Sequence, residues 1–95
     1  MNDCINGNQN IEILFCQLVM SLHAEVMQHL GKIKNPASGK IEPDMEKARQ
    51  AIDMLVMIRK KTRGNLTKDE NQLLERLISE AEKNYRAVTK KNPKS

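Results

Sequence analysis

Apolar positions recur along this chain at helical spacing, in three blocks separated by turn chemistry. The first block, Ile11 to Leu30, contains helix formers without a Gly or Pro, and Gly31 follows as a C-terminal stop. On a wheel turning ~100° per residue, Leu14, Phe15, Leu18, Val19, Leu22 and Val26 form one face. Ile13, Cys16, Met20, Ala24 and Met27 form a second, and only Gln17, Ser21 and Gln28 make a continuous polar strip. The pattern predicts a helix over 11–30, apolar nearly all round, as suits a core or an interface.

The second block predicts a helix over 43–63. Pro43 suits its first turn, Asp44 and Glu46 its positive end, and Arg59, Lys60 and Lys61 its negative end; Gly64 stops it. Met45, Ala48, Ile52, Leu55 and Val56 form its stripe, which Ala51, Met54 and Ile58 widen to roughly 200°. Met57 falls outside even that arc. The third block begins at a capping box, in which Thr67 and Glu70 satisfy each other's backbone amides, and predicts a helix over 68–89. Leu73, Leu74, Leu77, Ile78, Ala81, Tyr85 and Val88 make one clean stripe on it, and Asn92-Pro93 ends any continuation.

Residues 31–42 form the one long loop. Asn35-Pro36 and Ser38-Gly39 are turn pairs, and Ile33 and Ile41 anchor its ends or pair as a short hairpin. The expected organisation is a disordered polar leader (1–10), a single helical domain (11–89) and a basic flexible tail (90–95). The expected fold is all-α: a three-helix chain that assembles into a dimeric helical bundle. Dimerisation follows from the apolar excess of the first two helices. Each large side chain left in water forfeits ~1.5–3 kcal/mol relative to burial, and a domain this small has little stability to spare. The interface residues expected on this ground are Ile13, Met20, Met27, Met54 and Met57.

Composition supports helices over a sheet. Phe15 and Tyr85 are the only aromatics, so Leu, Ile, Met, Val and Ala must build the core. Cys4 and Cys16 are too few for a disulfide framework, which points to a reducing cytoplasm. MNDCINGNQN lacks the Lys or Arg of an export signal. Gln17, with Glu12, His23 and Glu25, leaves too little apolar length to span a bilayer.

No constellation of reactive residues points to catalysis, and the expectation is a protein that is not an enzyme and uses no cofactor or metal. His23 and His29 are six apart, ~120° round a helix, and cannot chelate one ion; Glu25 and His29 alone make a weak pair. The methionines read as adaptable interface filler, and Cys16 as a buried, inert thiol. The net charge of +4 permits an anionic partner without demanding one. Arg59, Lys60, Lys61, Arg63 and Lys68 are the candidate contacts for one, a nucleic acid or the ribosome in the alternative reading of function. Helix-dipole logic explains most of that cluster without a ligand. The leading reading is therefore self-association or another protein–protein interaction.

Several segments together carry a family resemblance: NPASGK (Asn35–Lys40), Asp44, Ile52-Asp53-Met54-Leu55 and KKTRGNLT (Lys60–Thr67). They resemble a bacterial family known as domain of unknown function 1844, over about Phe15 to Tyr85. Ser38 stands where Thr is the more usual residue. The resemblance implies a short, all-helical cytoplasmic protein and brings no activity, ligand or catalytic residue with it.

Overall fold

A computed structural model of the chain describes residues 10–91. Three helices account for most of them: α1 (Asn10–His29), α2 (Met45–Lys61) and α3 (Lys68–Lys91). Each helix packs on both others, so the described residues form an all-α three-helix bundle with one shared core. The leader and tail beyond Asn10 and Lys91 lie outside the described residues.

The helix ends follow from local chemistry. α1 stops in a Schellman motif: the Lys32 amide donates to the Met27 carbonyl at 2.9 Å and the Gly31 amide to Gln28 at 3.0 Å. Gly31 takes the left-handed φ of 81° that this closure needs. α2 starts two residues later than its proline suggested. Asp44, not Pro43, is the hinge between loop and helix; its carboxylate accepts from the Lys47 amide at 3.1 Å. Pro43 therefore lies outside the helix, where it limits the chain without costing an amide donor. The Thr67–Glu70 capping box forms as expected, with reciprocal bonds of 2.9 and 3.1 Å, and Glu70 is buried by it.

The long loop is closed by Asn35. Its backbone amide donates to Lys40, its carbonyl accepts from Gly39, its Oδ1 accepts from the Ala37 amide and its Nδ2 donates to Glu42. Every polar group of one residue is thus used to fold NPASGK into a compact turn. The Asp44 amide then donates to the His29 carbonyl at 2.7 Å, joining the end of α1 to the start of α2. Ile33 and Ile41 form no hairpin; both are exposed, and the turn is held by Asn35 instead.

The core line of α1 is Cys16, Val19, Leu22 and Val26, continued by Leu30 just past the helix end, all buried. It takes members from both of the apolar faces read from the wheel. Leu14 and Leu18, which fit a core stripe by spacing, stand 62% and 51% exposed. From α2 the core takes Ala48, Ala51, Ile52 and Leu55, and from α3 Leu73, Leu74, Leu77, Ile78 and Ala81. Phe15, Met27, Val56, Tyr85 and Val88 pack around it half-buried.

Candidate interaction surface

Two ion-pair clasps join α2 to α3 and fix which flank of α2 is spoken for. The Arg49 guanidinium makes two bonds to the Glu82 carboxylate, at 3.1 and 3.2 Å, and reaches Asp53 at 3.0 Å. It also lies over the Tyr85 ring, 5.1 Å from its centroid. Glu82, ahead of Asp53, holds Arg49 even more firmly in its charged form than usual. Further along, Arg59 bonds Glu75 at 3.0 Å. Both pairs are partly open to solvent, so they set register more than they add stability.

These clasps leave the opposite surface of α2 to solvent, and it carries Met54 and Met57, each 47% exposed. On α1, Leu14, Leu18 and Met20 stand out in the same way. α3 contributes no exposed large apolar side chain among the described residues. An apolar excess on two helices of three is an asymmetry that core packing does not explain. The loop does not cover it: the loop leaves α1 at the far end from Leu14 and Leu18.

Of the expected interface residues, Met20, Met54 and Met57 are exposed, while Ile13 and Met27 are half-buried, Met27 against the core. Leu14 and Leu18 belong to the first apolar face of the wheel yet stand at the surface, because an i, i+4 pair of leucines looks the same on a core stripe as on an outer face. Of the basic cluster, Arg59 is engaged by Glu75, whereas Lys60, Lys61, Arg63 and Lys68 are exposed around the α2–α3 turn. Lys60 and Lys61 line an open groove of about 330 Å³ with Asp53, Val56 and Met57. A smaller hollow of about 170 Å³ lies where α1 meets α2, lined by His29, Asn35, Glu42 and Asp44 among others. Glu42 and Asp44 are already engaged there by Asn35 and the Lys47 amide.

Among the described residues, His23 is the side chain whose surroundings leave a buried polar atom without a partner. Its Nε2 is buried without a hydrogen-bond partner, and the nearest acid, Glu80 on α3, is 3.7 Å away. Burial lowers its pKa below 6.5, against the smaller opposing pull of Glu80. His23 is therefore neutral near pH 7, and the Glu80 contact is not an ion pair there. With the folded pKa below the unfolded one, the unfolded chain binds the proton first. The contribution of His23 to stability is complete above ~6.5 and is lost as pH falls from there through the depressed folded value. His23→Leu should remove this pH dependence below about 6.5 and raise stability by ~1 kcal/mol, by deleting an unsatisfied buried nitrogen. Urea denaturation at several pH values checks both; an unchanged slope would assign the dependence to another group.

Among the described residues, no three of His, Cys, Asp or Glu come together to hold a metal ion, and no helix is long and apolar enough to cross a membrane. Fold and surface thus define a class: small three-helix bundles that expose several large apolar side chains on two of their helices. Residues 12–87 match the family described as Domain of unknown function (DUF1844), and the chain belongs to that family. No curated protein and no solved structure matches the chain.

Proposed function

We propose that the protein is a non-enzymatic helical interaction module that works in the cytoplasm as a homodimer, self-associating through the outer surfaces of α1 and α2. The observation that supports this reading is the exposure of Leu14, Leu18, Met20, Met54 and Met57 on those two helices while α3 exposes none. Burying even part of this set would contribute several kcal/mol, at ~1.5–3 kcal/mol for a full side chain, against a typical domain stability of ~5–15 kcal/mol. Methionine suits such a surface, because it adapts its shape to a partner. The anionic-partner reading keeps Lys60, Lys61, Arg63 and Lys68 but has lost Arg59 to Glu75, so it has the weaker support.

Sedimentation equilibrium tests the proposal. The wild-type chain is expected to dimerise at or below ~100 µM. Leu18→Glu with Met54→Glu is expected to give a folded monomer, since both side chains lie outside the core. A wild-type chain that stays monomeric across that range would end the proposal.

A further inference from the structure

The outer surface of α2 is complementary to itself when turned end for end. Glu46, Gln50, Met54, Met57 and Lys61 follow one another at three or four residues and are all exposed, so they form a single stripe on the solvent side. Acid stands at its start, methionine at its centre and base at its end. The end charges suit the helix dipole, but the dipole gives no reason for two exposed methionines between them.

We infer that the partner on this surface is a second copy of the chain, with α2 packed antiparallel on α2 about a twofold axis near Met54. Glu46 of each copy then faces Lys61 of the other, Met54 meets its own copy at the centre, and Met57 faces Gln50. The inference rests on the self-association proposed above and adds its geometry. A parallel pairing of the same stripes would set Glu46 on Glu46 and Lys61 on Lys61, and like charges in register repel. Lys47 is also exposed near the acidic end, ~100° round the helix from Glu46 and about 20° from Met54 in projection, so a lysine borders the stripe on the side away from Glu46 and the pairing rests on Glu46 and Lys61. The exposed leucines of α1 lie on the neighbouring helix and would extend the contact beyond α2.

Charge reversal and cross-linking test the arrangement separately from dimerisation itself. Glu46→Lys or Lys61→Glu alone should weaken the dimer about fivefold or more, through two symmetric pairs of repelling charges. The double variant E46K/K61E restores both pairs and should dimerise within about twofold of wild type, even though its reversed end charges lower its thermal stability. Loss of a dipole contribution alone cannot produce that recovery. In a Cys4→Ser background, Met54→Cys should form a disulfide between copies. Glu46→Cys should not, because its two copies would stand about 22 Å apart along the helices, beyond disulfide reach. A dimer that persists with additive losses in the double variant, or that Met54→Cys does not cross-link, overturns the antiparallel arrangement and leaves self-association standing. A monomeric wild type overturns both and leaves the surface to a different protein.

Discussion

Replacing Ile52 by Ala is expected to lower the unfolding free energy by about 2–5 kcal/mol, the range for large-to-small changes at buried positions. Ile52 has no exposed surface and is among the largest fully buried side chains, with Leu55, Leu73, Leu74, Val19 and Val26. These residues come from all three helices, so the cavity left by the truncation lies in the only core the bundle has. The loss matters because so little stability stands behind it. Helices of 17–24 residues gain most of their stability from packing an apolar face, and a domain of this size is marginal to begin with. Urea denaturation followed by circular dichroism should give a lower midpoint with an unchanged slope and a single transition. Met57→Ala on the same helix, measured below the dimerisation range, should cost under ~0.5 kcal/mol. Comparable losses at the two positions would place the core elsewhere.

The three helices were legible in the sequence to different depths, for reasons that lie in their residues. α3 carries one stripe and a charged back, so its orientation has a single solution; Leu73, Leu74, Leu77, Ile78 and Ala81 are all buried as the pattern requires. α2 begins two residues beyond the start expected at Pro43. Pro43 fits a first turn, but the Asp44 carboxylate satisfies the Lys47 amide, and capping outweighs a preset φ. α1 has apolar residues on nearly every side, and periodicity cannot rank two faces that both satisfy it. The choice falls to the neighbours: α3 packs on the His23 flank, which is why a histidine sits beside the core line and Leu18 does not.

The candidate surface was legible in kind and less so in membership. An excess of apolar area on α1 and α2 follows from counting faces, and exposed Met54 and Met57 agree with that excess. Which α1 residues carry it depends on the bundle's rotation, which no single helix encodes. The basic cluster shows the same limit. Its members are adjacent in sequence, yet only the packing of α3 reveals that Glu75 engages Arg59 and leaves the rest to solvent. Turn chemistry at NPASGK was visible, whereas the part played by Asn35 in closing it through all its polar groups required the folded loop.

Gly31→Ala is expected to cost about 2–3 kcal/mol, more than the same change at Gly64. Both glycines have left-handed φ, 81° and 84°, and an L-residue in that region costs roughly 1–2 kcal/mol. The difference comes from space. A Cβ on Gly64 would meet nothing within 4 Å, while one on Gly31 would stand 3.2 Å from Pro43 Cγ and 3.6 Å from Ile41 Cγ2. Pro43 cannot retreat easily: its ring is rigid, and the next residue is tied back to α1 by the 2.7 Å bond from the Asp44 amide to His29. Relieving the contact would lengthen that bond or the Schellman closure, and either exposes a helix-end carbonyl that now has its partner. Gly64→Ala should therefore report backbone strain alone, and the extra loss at Gly31 should report the packing of α1 onto the start of α2. Denaturation midpoints for the two variants, converted with a common slope, give that difference directly. Equal losses would mean that Pro43 yields freely, and that the α1–α2 junction is held by its hydrogen bonds without close packing of the loop.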